Sequence, residues 1–349
     1  MSLQASHFLL YKLYRIVRLR QTGQENNMAT DKTKRITSIG GSALIEGIMM
    51  RGPKRTTVAV RMGEDDIYTE DLPFKSLAQR FKIFRVPLIR GVGGLIDSMR
   101  LSFKALSLSA EKAMDSIPED EQEQPSKFEK WIDRVFGDKF MKVLMIFASV
   151  IGVALAIGLF FVLPTWLYNI TSNAATFLQG NMLFRSVFEG VLRIGLFLLY
   201  VILCTQMSDM KRVFQYHGAE HKTIFCYENE EELTVENVRR QSRFHPRCGT
   251  SFMIIMLLLG IIIGLFVPFT NPFVRSAVKI LLLPISCGLG YELIKICGKY
   301  DNAFTRIVAA PGLWAQRITT KEPDDTMIEV AIKAMKCVIP EDGSDLLKK

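Results

Sequence analysis

Of the four histidines in the 349-residue chain, three (His217, His221 and His245) fall in one short stretch. His217-Gly-Ala-Glu220-His221 is an H-x-x-E-H pattern. On a helix, four-residue spacing puts both imidazoles on one face, where they can share one divalent ion. Glu220, beside His221, is the candidate catalytic residue: a general base for an attacking water, as in the inverted zincin motif. A catalytic zinc takes three protein ligands and keeps one position open. The string FHPRCGTSF offers His245 or Cys248 as the remaining ligand, and LTVENV offers Glu236 as a further candidate. Imidazole and thiolate suit zinc better than magnesium, so the expected cofactor is a divalent metal of the zinc type.

Two further acids stand out. Glu292, in GLGYELIK, lies inside an apolar segment, where an acid is a functional candidate by default. A salt bridge to Lys295 on its own helix is the plainer alternative. Glu46 sits among glycines in GGSALIEGIMMRGP, the pattern of a strand turn.

These residues must be positioned by a membrane framework. Hydrophobic residues make up 49% of the chain and the formal charge is +9. That composition excludes a disordered chain, and six cysteines exclude a disulfide-stapled secreted scaffold. Val143 to Tyr168 and Cys248 to Val274 contain no charged residue, and each is long enough to cross a bilayer. Val191 to Met207, with Arg193, and Ile280 to Ile296, with Glu292 and Lys295, complete four expected spans. Arg193 is expected to meet Glu189 one turn earlier, with Lys279 at the same level. Seven Lys or Arg lie between Ser208 and Thr250, against Arg185 alone in the first short loop and Arg275 alone in the second. The positive-inside rule then places both termini and the 208–250 loop in the cytoplasm, with the chain in the inner (plasma) membrane.

The expected fold class is an α-helical integral membrane protein, with four transmembrane helices, a small cytoplasmic β unit and an amphipathic helix. Residues 1–34 read as an extension without structural weight, MATDKTKR at Met28 resembling a natural start. Residues 35–75 read as a β unit, a hairpin or three-stranded meander. Residues 76–115 read as a basic interfacial helix suited to anionic lipid head groups. An acidic linker follows over 116–130. The four-helix domain covers 131–298 with its His-rich loop 208–250, and 299–349 forms a cytoplasmic tail with a helix. Partners are the bilayer, anionic lipid head groups and other membrane proteins. Nothing supports nucleic acid, since no stacking platform or nucleic-acid motif is present.

The strings GGSALIEGIMMRGP, YHGAEHKTIFCYENEEELTVENV, HPRCGTSF and PGLWAQRITTKEPDD together resemble the YqhQ-like family of bacterial multi-pass membrane proteins. The resemblance covers roughly residues 34–340. That family is built around a domain of unknown function, sometimes described as a predicted metal-dependent enzyme. It implies a metal role for the matching His217, Glu220, His221, His245 and Cys248, and it supplies no substrate. Two classes of function stay open. One is a membrane-bound metal-dependent hydrolase acting on a lipid-linked or peptide substrate. The other is a non-enzymatic factor for protein insertion or assembly, with a structural metal or a histidine cluster.

Overall fold

The computed structural model describes residues 35–63, 66–116, 143–144, 147–174, 180–300 and 302–347. The expected N-terminal extension lies outside them, as does the acidic linker beyond Ser116. Four antiparallel strands, β1 (Gly40–Leu44), β2 (Gly47–Arg51), β3 (Thr56–Arg61) and β4 (Ile67–Asp71), pair in sequence order. The sheet has more strands than expected because SALIEGIMM folds as two of them. Glu46 takes φ 48, a left-handed conformation that closes a two-residue turn between Leu44 and Gly47.

After short helical turns at Leu77–Arg80 and Lys82–Arg85, the longer helices begin with α1 (Ile89–Asp115), α2 (Phe147–Asn173), α3 (Met182–Cys204) and α4 (Ser208–Glu228). After them come α5 (Val235–Arg240), α6 (Gly249–Gly264) and α7 (Pro272–Leu281). The chain continues through α8 (Leu283–Lys299), α9 (Ala303–Thr319) and α10 (Asp325–Val338).

The period-two alternation of the strands covers both faces of the sheet. Ile48, Met50 and Ala59 pack with Tyr216, Ala219 and Ile224 of α4 and with Met327, Ile328 and Met335 of α10. Met49, Val58 and Val60 pack with Leu101 and Ala105 of α1. The helix bearing the H-x-x-E-H pattern is therefore clamped between sheet and C-terminal helix. Helix α1 buries one face on the sheet while Met99 and Phe103 on its far side stay exposed. Its N-terminal end meets α8 at Gly91, where a Cβ would lie 2.7 Å from Tyr291 Cβ and 3.0 Å from Gly288 Cα. Only glycine lets these helices come so close.

Helices α2 and α3 are each long and apolar enough to cross a membrane, and α7 with α8, bent by 46°, makes a third if counted as one span. Helix α6 is apolar but has 16 residues, a rise of about 24 Å against a hydrocarbon core of about 30 Å. Two to three helices thus associate the chain with a membrane, where four spans were expected.

At the ends of these helices farthest from α4, Glu189 of α3 is buried among cations. It accepts from Arg185 at 3.0 Å, from Arg275 at 2.9 Å and from Lys279. Arg193 departs from expectation: its Nε donates to the Phe160 carbonyl at 2.7 Å. Phe160 lies in a π-helical turn, Gly158–Val162, whose wider winding frees carbonyls from the regular ladder.

Candidate metal centre

Helix α4 carries the first two candidate ligands, and the turn before α6 carries the third. One ring nitrogen each of His217 and His221, and Cys248 Sγ, all lie within 4.8 Å of one another. His217 Nδ1 lies 2.9 Å from the Thr319 carbonyl at the end of α9. His221 Nδ1 lies 2.6 Å from the Arg243 carbonyl in the loop after α5. With each Nδ1–H donated to a carbonyl, Nε2 is the nitrogen left to face a ligand, and His217 Nε2 is 3.2 Å from Cys248 Sγ. Histidines that bind metals are commonly fixed in this way through the other ring nitrogen. Tetrahedral zinc places its ligand atoms roughly 3.5 Å apart, so the three residues fit such an ion after a small contraction.

Cys248 is the N-cap of α6, and its Sγ accepts from the Thr250 amide. Burial opposes the thiolate, but the neighbouring His217 and His221 outweigh it and hold the thiol well below its usual range. Burial likewise opposes a protonated His217, but the Cys248 sulfur beside it carries that imidazole up to about 9. The two residues make a mutually stabilised ion pair, which a divalent cation would replace in kind.

Glu220 is buried and packs against Gly41 of β1, where a Cβ would lie 3.0 Å from its carboxyl carbon. Burial raises its carboxyl above the usual range, against the pull of His221 and His217. A carboxyl raised by burial and held in place by packing is suited to accept and return a proton. It lines a cavity of about 500 Å³ together with His217, His221, Cys248 and the Thr37–Ala43 segment.

Of the two proposed completing residues, Cys248 reaches the histidine pair and His245 does not join it. The His245 ring centroid is 5.6 Å from that of His221, and its Nε2 faces Glu228 at 3.7 Å. Burial pushes His245 down to about 4, so it is neutral. Glu236 is exposed on α5 beside Arg240, far from the cluster in role. Glu46 binds the Arg212 guanidinium through both oxygens and takes the Tyr216 hydroxyl at 3.2 Å. Glu292 accepts from Arg90 Nε at 2.7 Å, tying α8 to α1 rather than to its own Lys295. All three acids have structural partners.

Several supporting residues were not singled out in the sequence. Gln316 accepts the His245 amide at 2.8 Å and donates to the His245 carbonyl at 2.8 Å and to Ser251 Oγ at 2.9 Å, fixing the HPRC turn on α9. Glu228 binds Arg247 and the Thr37 amide, joining the same turn to the strand entering β1. Glu228 could have been found, because it lies seven residues after His221 and so on the same helix face. Thr319 and Arg243 contribute carbonyls, which leave no mark on residue identity.

A family described as protein of unknown function (DUF1385) matches residues 86–341. The chain belongs to that family. A relative, the uncharacterized protein YqhQ of Bacillus subtilis (strain 168), is 31% identical over 297 residues, 84% of this chain and 90% of its own. No solved structure matches. The match begins at Val86, so it includes α1, the helices of the bundle, the metal-type cluster and α10 but leaves out the sheet.

Proposed function

We propose that this DUF1385 protein is a membrane-embedded, metal-dependent hydrolase whose site is His217, His221 and Cys248 as ligands with Glu220 as general base. The observation that carries this reading is the pair of Nδ1 contacts to the Thr319 and Arg243 carbonyls. They present two Nε2 atoms and one thiolate toward a common point, three ligands with a fourth position left over. A bound zinc-type ion would supply Lewis acidity there. Glu220 would take a proton from water and return it to the leaving group. The substrate is lipid-linked or peptide, since the site adjoins the apolar helices.

We further infer four spans, α2, α3, α6 and α7 with α8, in the inner membrane with both termini and α4 in the cytoplasm. The basic loop 208–250 between nearly uncharged loops supports that orientation. The exposed Phe81, Ile83, Met99 and Phe103 beside Lys82, Arg85, Arg100 and Lys104 suit an interfacial element over anionic head groups.

Elemental analysis of the purified full chain, combined with Glu220→Gln, tests the reading. Near-stoichiometric zinc in both proteins, with hydrolysis or the cellular phenotype lost only in Glu220→Gln, is the expected result. A Glu220→Gln protein that behaves as wild type, while changes at the ligands act only through lost stability, would make the site structural and the protein a non-enzymatic membrane factor.

A further inference from the structure

Resting on the hydrolase reading, we propose that the substrate is an extended polypeptide, seated as an added strand along β1. Among the described residues, strand β1 is the edge of the sheet and pairs in register with β2 alone. Leu44 and Gly47 close a two-residue hairpin. In such a hairpin the closing pair shares its hydrogen bonds, and antiparallel pairs alternate from there. Gly40, Ser42 and Leu44 therefore bond inward to β2, while Gly41 and Ala43 aim their amides and carbonyls outward. Glu220 of α4 lies against this strand, since a Cβ at Gly41 would come 3.0 Å from its carboxyl carbon. The outward amides and carbonyls of Gly41 and Ala43 are there for a ligand, and Gly41 itself is exposed.

The outward edge is one wall of the 500 Å³ cavity, and His217, Glu220, His221 and Ile224 of α4 form the facing wall. A strand added to this edge runs past the metal-type cluster with its backbone in reach of Glu220. Main-chain pairing of this kind recognises any extended peptide, and side-chain pockets then add selectivity. The lining also disfavours a phosphate-bearing lipid. Among the described residues that line it, Arg247 is the one Lys or Arg, and that guanidinium is already engaged by Glu228 and the Thr37 carbonyl. The reaction would be hydrolysis: a C–O bond forms from water, the C–N bond breaks, and Glu220 passes the water's proton to the departing amine.

The test uses the full chain in nanodiscs, carrying Glu220→Gln to stop turnover. It is mixed with a synthetic random decapeptide library, and amide hydrogen exchange is read by mass spectrometry. Exchange across Ile39–Leu44 should slow at least fivefold. Ala43→Pro removes one outward amide at an edge position where proline is tolerated. It should lower peptide retention about tenfold with zinc content and melting temperature unchanged. If that variant fails to fold, the exchange measurement decides alone, since it alters nothing in β1. Protection of β1 by peptides in a protein without zinc or hydrolysis would sustain the peptide site and reject the hydrolase. Zinc and turnover of a lipid ester without any protection of β1 would do the reverse and overturn the peptide proposal, as would no protection at all.

Discussion

Glu228 Oε2 stands 3.7 Å from His245 Nε2, and its other oxygen takes the Thr37 amide at 2.8 Å and the Arg247 guanidinium. That contact turns His245 from the ligand cluster toward the strand that leads into β1. His217→Ala, His221→Ala and Cys248→Ser should therefore each drop bound zinc well below stoichiometric. His245→Ala should keep it. Elemental analysis of the four proteins checks this, and a zinc-free His245→Ala that remains folded would restore His245 to the ligand set.

Removing Glu228 should act on stability more than on metal. Its side chain is 2% exposed and sits against a guanidinium and an imidazole. Losing one partner of such a buried pair costs on the order of 3–5 kcal/mol. Denaturant unfolding of Glu228→Ala in detergent should show a loss of that order. A loss under about 1 kcal/mol would mean that Arg247 finds solvent at no cost.

Gly218 within the H-x-x-E-H pattern gives a sharper contrast. Alanine normally stabilises a helix interior by about 1 kcal/mol relative to glycine. Here a Cβ would run into the Lys321 carbonyl oxygen, just beyond Thr319, which holds His217. Gly218→Ala should lower the melting temperature and weaken zinc retention together. A stabilised variant with full metal would show that the 319–321 segment yields easily.

Among the apolar helices, Glu189→Leu should be the most damaging single change in the bundle. It would leave Arg185, Arg275 and Lys279, all at most 6% exposed, without their common carboxylate. Uncompensated buried charges of this kind cost several kcal/mol each. Poor recovery from membranes, or a melting temperature lowered by more than about 10 °C, is expected. Wild-type yield and melting would contradict the shared ion cluster.

The orientation is tested by reporter fusions. Insertions after Asn173, at the end of α2, and after Glu231, beyond α4, should report opposite compartments. The same compartment for both would reject the four-span arrangement and with it a cytoplasmic site.

The sequence by itself determined the parts that depend on local periodicity and composition. The spacing of His217 and His221 makes a shared helix face unavoidable once that segment is helical. The long uncharged stretches announce α2 and α6, since charge is what an apolar span must lack. Strand formers separated by RGPKR and GEDD announce a β unit, and the glycines around Glu46 mark a strand turn. SALIEGIMM also reads as one continuous run of strand formers, so the fourth strand is not evident from it. What only the tertiary structure decided are the relationships that cross the chain. Cys248 and His245 are three residues apart and both candidate ligands, and it is Glu228 and Gln316, arriving from α4 and α9, that hold His245 away from the histidine pair while Cys248 reaches it. Arg193 and Glu189 are helix neighbours, yet the carboxylate is taken by Arg275 and Lys279 of α7, and Arg193 turns to a carbonyl. Glu220, the proposed base, is buried and oriented only because Gly41 of the distant edge strand lies against it. Backbone donors and acceptors are the same at every residue, so their placement cannot be read from residue types; packing alone sets which histidine nitrogen, and which acid, remains available for chemistry.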